Sequence, residues 1–245
     1  MEKQDQQSPF GHTLLIDKPI EWTSFDVVNK IRYAAKRITG RKKIKVGHAG
    51  TLDPLATGLV IVCVGKDTKT ISTLMGLTKQ YIGTIKLGAT TPSYDLETEE
   101  DATFMLPDND PTAIQNIANT FVGDTDQMPP AFSAKKVDGR KAYELARKGK
   151  EVNLQPARIH IDRFEVDCNQ FPELSFVLDC SKGTYVRSLA HDLGKALGSG
   201  AHLTSLCRTQ IGAFSIDEAH TIESAMTAIE KAFALHQHSD SEKRI

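Results

Sequence analysis

The chain has 245 residues, 40% of them hydrophobic and 25% charged, with a formal net charge of −1. That balance excludes a disordered or fibrous chain and leaves room for one large domain or two small ones. Cys63, Cys168, Cys180 and Cys207 are scattered and form no C-x-x-C pair, so neither a zinc site nor a disulfide framework is indicated. Met1 to Pro9 is polar, and no stretch approaches the ~20 apolar residues of a membrane span, so the expectation is a cytoplasmic protein with no membrane contact.

Thr13 to Ile16 reads as a strand ended by Asp17-Lys18-Pro19, which sets Lys18 where it could touch phosphate. A helix follows, with Thr23 or Ser24 as its N-cap, Val27, Val28, Ile31, Ala34, Ala35 and Ile38 at helical spacing, and Gly40 as its stop. Its polar face begins a basic run, Lys30, Arg32, Lys36, Arg37, Arg41, Lys42, Lys43 and Lys45, with no acid among them. Such a run can present a positive face to a nucleic-acid backbone while the whole chain stays near neutral.

Gly47 to Gly65 is the stretch around which the rest is organised. Pro54 disfavours the helical region for Asp53, and Gly50 and Gly58 give the backbone freedom on either side, so one carboxylate is aimed from a fixed base. Leu59 to Val64 is continuously apolar and β-branched, as a strand buried on both faces would be. A short helix through Ile71 and Leu74 comes next.

Lys79 to Leu87 alternates with period two, placing Tyr81 on one sheet face with Gly83, Ile85 and Leu87. The acidic block Asp95, Glu97, Glu99, Glu100, Asp101, Asp108 and Asp110 reads as an exposed loop, followed by a helix from about Pro111 to Phe121 closed by Gly123. Asp124 to Lys148 has few apolar anchors and a second basic run including Lys135, Lys136 and Arg140, so it reads as a mobile basic excursion. Ile159 to Val166 and Leu174 to Asp179 are strands of a meander. Strand passes into helix at Tyr185 and Arg187, a further strand is expected at Ile211 to Ile216, and a last helix runs from Thr221 to Phe233 before a frayed tail from His236.

No phosphate-binding P-loop, dinucleotide fingerprint or nucleophile elbow is present. What remains is a carboxylate, an arginine, a tyrosine on a strand and two basic runs. G-H-A-G-T-L-D-P-L-A-T-G from Gly47, followed by an apolar strand, strongly resembles the defining loop of the TruB family of tRNA pseudouridine synthases. The resemblance continues through D-K-P at Asp17, K-Q-Y at Lys79, S-A-K-K-x-x-G-x-x-A-Y from Ser133 and S-K-G-T-Y-V-R at Ser181.

The resemblance implies an α/β (α+β) pseudouridine synthase fold, a mixed and largely antiparallel sheet flanked by helices, with a catalytic domain over residues 10–235, a thumb at about 124–152 and flexible tails at 1–9 and 236–245. It implies isomerisation of uridine 55 in the T loop of tRNA, with the T-arm stem-loop as partner, no cofactor and a monomeric enzyme. Asp53 corresponds to the catalytic aspartate, Tyr81 to the tyrosine that stacks on the flipped uracil and Arg187 to the arginine paired with the carboxylate. Tyr185 and Leu206 correspond to pocket residues and His48 to the histidine that enters the RNA loop. Lys18 is expected to bind substrate, and Lys36, Arg37, Lys135, Lys136 and Arg140 to contact RNA. Two departures are expected: no C-terminal RNA-binding PUA domain, and Cys207 where a basic residue is frequent.

Overall fold

The computed structural model describes residues 10–137, 139–150 and 152–242. The chain groups into two compact units, residues 1–77 with 208–245, and residues 78–207.

The first unit begins with strand β1 (Gly11–Lys18), helix α1 (Ser24–Thr39), strands β2 (Val46–His48) and β3 (Thr57–Gly65), and the short helix α2 (Ile71–Met75). Both ends of α1 are set by local chemistry. Thr23 and Asp26 form a reciprocal capping box, and Gly40 closes the helix in the left-handed region at φ 66°. Strand β3 pairs with β1 from Gly58↔Lys18 to Gly65↔Gly11, and with β2 from Val46↔Val64 to His48↔Val62. Leu59, Ile61 and Cys63 pack toward Ile71, Leu74 and Leu77, while Val60, Val62 and Val64 on the alternate face are also fully buried. This strand is therefore buried on both faces, as its unbroken apolar run demands.

The second unit opens with β4 (Lys79–Leu87), which occupies the residues expected of it, with Tyr81, Ile85 and Leu87 buried and Ile82 exposed. β5 (Ala89–Thr90) and β6 (Ala102–Thr103) pair and close the acidic loop at its neck. Helix α3 (Pro111–Asn119), capped by Asp110, leads into β7 (Gly123–Gln127). Next come the hairpin β8 (Lys136–Val137) and β9 (Arg140–Lys141), the short helix α4 (Ala142–Ala146), and the strands β10 (Ala157–Gln170) and β11 (Glu173–Cys180). Helix α5 (Val186–Ala196) and most of β12 (Ala201–Ile211) complete the unit, whose sheet order is β12-β4-β11-β10-β7. Gly83 on β4 is obligatory: a Cβ there would lie 2.2 Å from the Ser205 carbonyl oxygen of β12.

At Arg208 the chain re-enters the first unit, where the order is β1-β3-β12 and β13 (Phe214–Ser215) pairs back onto β12. Helix α6 (Ile222–Glu242) packs against α1 and β1. Its Phe233 ring meets Phe10 edge-on at 5.4 Å.

Several boundaries differ from the sequence reading. Gly123–Gln127 is an edge strand paired with Ala157–Ile161 of β10, so the excursion begins after Gln127. Ala201–Ile211, unassigned from its pattern, is a long strand, and the strand expected at 211–216 is reduced to Phe214–Ser215 followed by a 3-10 turn. Helix α6 continues to Glu242, beyond the tail expected from His236. The expected N-terminal tail, 1–9, lies outside the described residues. No helix among them is long and apolar enough to cross a membrane.

Candidate active site

In the first unit the residues brought together are Lys18, His48 and Asp53. The loop from Gly50 to Pro54 is held through its backbone by three buried side chains. Ser24, the first residue of α1, accepts from the Leu52 amide at 2.9 Å and donates to the Leu52 carbonyl at 3.2 Å. Arg208 donates Nε to Leu59 O at 2.7 Å, Nη1 to Thr51 O at 3.3 Å and Nη2 to Gly50 O at 3.2 Å. Lys18 donates Nζ to Trp22 O at 2.7 Å, Pro19 O at 2.9 Å and Pro54 O at 3.3 Å. Gly50 sits at φ +113°, a conformation that L side chains rarely adopt. Asp53 is thus flanked on both sides by carbonyls held by buried side chains, and its own carbonyl accepts the Ala56 amide at 3.1 Å.

Lys18 corrects an expectation. Its side chain is wholly buried and its ammonium turns inward to three carbonyls, where it braces the loop rather than reaching solvent phosphate. Burial lowers its pKa to about 8, while the neighbouring Asp53 carboxylate opposes that shift and Arg208 adds to it. His48, on β2 opposite Val62, is half-buried, and burial holds its imidazole below the ordinary value. Lys36 and Arg37 are exposed in the last turn of α1.

In the second unit Arg187 and Tyr185 meet at the start of α5. Arg187 is only 4% exposed; its Nη1 donates to Ser93 O at 3.2 Å and its Nη2 to Phe132 O at 3.0 Å. Its Nε faces Asp95 Oδ2 at 3.6 Å, an ion pair with both side chains buried. Gln127 clamps Tyr185, accepting from its amide at 2.8 Å and donating to its carbonyl at 3.0 Å. Tyr81 and Leu206 lie buried on the adjacent strands β4 and β12, at 8% and 9% exposure. In the excursion Lys135 is half-buried and Arg140 exposed, while the side chain of Lys136 lies outside the described residues.

Asp95 is the residue that sequence reasoning misplaced among exposed acids. Its carbonyl accepts Thr91 Oγ1 at 2.7 Å and Ser93 Oγ at 3.1 Å, and its Oδ1 accepts the Glu97 amide at 3.0 Å. The loop therefore folds around this carboxylate and presents it to Arg187. Beside it, Tyr94 is forced to φ 63°, a costly conformation for a non-glycine residue, and its ring stacks on His191 of α5 at 4.0 Å. Burial lowers the His191 pKa and raises those of Tyr94 and Asp192. One helix, α5, thus carries Arg187 and, one turn later, the ring that steadies the loop facing it. The sequence reading gives Gln127 and Arg208 no role and Ser24 only that of a candidate N-cap, which falls to Thr23, since nothing local marks a polar residue as a backbone clamp.

In the first unit, the Asp53 carboxylate on a loop held through its backbone is a group suited to nucleophilic or proton-transfer chemistry. Known proteins carry the same fold. A Cbf5-Nop10-Gar1 complex superposes with a TM-score of 0.66 at 28% identity, covering 91% of this chain and 58% of the matched one, so the chain spans less than two thirds of that protein. This is the fold of pseudouridine synthases, an isomerase class.

The family model described as TruB family pseudouridylate synthase (N terminal domain) matches residues 36–186, and that described as tRNA pseudouridylate synthase B C-terminal domain matches residues 187–244. The chain belongs to the TruB family. It is 53% identical over 215 residues to a tRNA pseudouridine synthase B of Phocaeicola vulgatus, covering 87% of this chain and 91% of that one. It is 54% identical over 209 residues to a protein of the same description from Bacteroides fragilis, covering 85% and 89%.

Proposed function

We propose that the chain isomerises uridine 55 in the T loop of tRNA to pseudouridine, in the cytoplasm and without a cofactor. The observation that carries this reading is the mounting of Asp53, whose loop is fixed through the backbone by Ser24, Lys18 and Arg208 so that the carboxylate has a set origin. The names of the relatives, tRNA pseudouridine synthase B, support tRNA as the substrate.

The reaction breaks N1–C1′, turns the base over and forms C5–C1′; the C5 proton is lost and N1 gains one, so product and substrate are isomers. Asp53 supplies the carboxylate, which could add to C6, attack C1′ or remove a ribose proton to give a glycal. Tyr81 offers an aromatic face to the extruded base and handles the C5 proton. Unstacking a base costs a few kcal/mol, about what base–aromatic stacking returns. Arg187 favours the ionised carboxylate, with Tyr185 and Leu206 lining the pocket and His48 filling the space that the base vacates. Lys135, Lys136 and Arg140 contact the RNA backbone, and the enzyme acts as a monomer. Lys18 serves by bracing the loop.

The test is tritium release from C5-labelled uridine in a T-arm stem-loop. Wild type should release tritium and Asp53→Asn should not. No release by wild type refutes the function, and a fully active Asp53→Asn refutes the role of the carboxylate.

A further inference from the structure

On α1, Val27, Val28, Ile31, Ala34 and Ala35 are buried, and the opposite side carries Tyr33 at 71% exposure. A single exposed aromatic is ordinary. Its neighbours are not. Helical spacing puts Asn29 and Lys30 at i−4 and i−3 and Lys36 and Arg37 at i+3 and i+4, neighbours at about 5–6 Å between Cβ atoms. Lys30, Lys36 and Arg37 are exposed, and none has an acidic partner among the described residues. The nearest carboxylate on this face, Asp26, is occupied by the capping contacts of Thr23. Arg32, by contrast, is turned away to Asn29 Oδ1 and Val46 O. The cations continue past the helix in exposed Lys42 and Lys43.

Crowding like charges on a helix face is unfavourable in the free protein, and a polyanion relieves it. An aromatic ring ringed by cations is the composition that binds unpaired nucleotides, the ring taking a base of any identity and the cations the flanking phosphates. A protein partner would need an acidic surface but would give the ring no comparable use.

We propose that the Tyr33 face of α1 is a second RNA contact, in which an unpaired base stacks on the Tyr33 ring while Lys30, Lys36 and Arg37 neutralise neighbouring phosphates. The proposal rests on the reading of the chain as an RNA-modifying enzyme. It adds a contact outside the group of residues assigned to the flipped uridine.

The test uses the full chain and a tRNA transcript. Tyr33→Ala should weaken binding by about 5- to 100-fold, with the loss appearing in Kd and KM, and Tyr33→Phe should restore it. With Trp22→Phe as background, the emission of Tyr33→Trp should be quenched when RNA binds. Replacing Lys30, Lys36 and Arg37 together by Gln should reduce the slope of log K against log salt by about 2 to 3. Wild-type affinity in Tyr33→Ala, or a Tyr33→Phe variant as weak as Tyr33→Ala, overturns the stacking contact. An unchanged salt slope removes the three cations. If wild type binds tRNA tightly but leaves uridine intact, the proposed activity fails while this contact can still be measured.

Discussion

Ser24→Ala removes one oxygen atom and tests whether the loop under Asp53 is held as described. The Ser24 side chain is buried and makes two contacts to the same peptide unit, accepting from the Leu52 amide and donating to the Leu52 carbonyl. Losing the acceptor leaves a buried amide without that partner, which costs about 1–3 kcal/mol, and the lost donation adds roughly 1 kcal/mol or less. The methyl of alanine leaves almost no cavity, so packing contributes little. A total of about 2–3 kcal/mol corresponds to a melting temperature lower by roughly 4–12 °C in a chain of this length. Against a native stability of about 5–15 kcal/mol the variant stays folded. Leu52 immediately precedes Asp53, and displacement of a reacting group by ~1 Å can cost 10²-fold. Circular dichroism melts and single-turnover tritium release at saturating RNA read the two effects separately. We expect the lower melting temperature together with a single-turnover rate reduced by about 10- to 100-fold. A variant that melts lower but turns over within twofold of wild type refutes the mounting argument, and one that matches wild type in both refutes the hydrogen-bond reasoning.

Lys18 has a folded-state pKa of about 8 against 10.5 in the unfolded chain. Below pH 8 both states hold the proton and the burial cost is fully present; between 8 and 10.5 the unfolded chain binds more protons, so stability from this group rises with pH. Urea midpoints of wild type should therefore gain on those of Lys18→Met from pH 7 to 10, and parallel curves would contradict the assignment. Asp95→Asn removes a buried carboxylate that faces Arg187, and breaking a buried ion pair costs about 3–5 kcal/mol. Urea unfolding should show that loss, and an unchanged midpoint would place Asp95 outside the support of Arg187. His191→Ala removes the ring beneath Tyr94, so it should lower turnover more than RNA affinity, whereas His191→Phe should restore turnover.

Legibility in the sequence followed the range of the interaction that decided each feature. The ends of α1, the face of β4 that carries Tyr81 and the buried run of β3 depend on neighbours within a few residues, and each is visible as a cap, an alternation or an apolar block. Strand β7 has no apolar residue in Gly123–Gln127, and only its partner Ala157–Ile161 makes it a strand. Asp95 is chemically identical to the acids around it, and its burial depends on Arg187, reached through a loop whose Ser93 carbonyl is 94 residues distant in sequence. Lys18 looks like a surface cation because it closes a strand, yet Pro54, 36 residues on, supplies part of its cage. Helix α6 runs on to Glu242 because no glycine or proline stops it after Phe233.

The loop beneath Asp53 is gripped through its backbone, at the Leu52 amide and at carbonyl oxygens, which every residue type possesses. These fixing interactions are therefore indifferent to the identity of the exposed side chain at Thr51, while they depend on Ser24, Lys18 and Arg208 and on the buried side chain of Leu52. Substrate recognition by the loop can drift under selection without loosening the carboxylate, and the clamps that cannot drift lie far away along the chain. A saturation library would separate Ser24, Lys18 and Arg208, whose variants lose the hold on the loop, from the exposed Thr51, whose variants keep it.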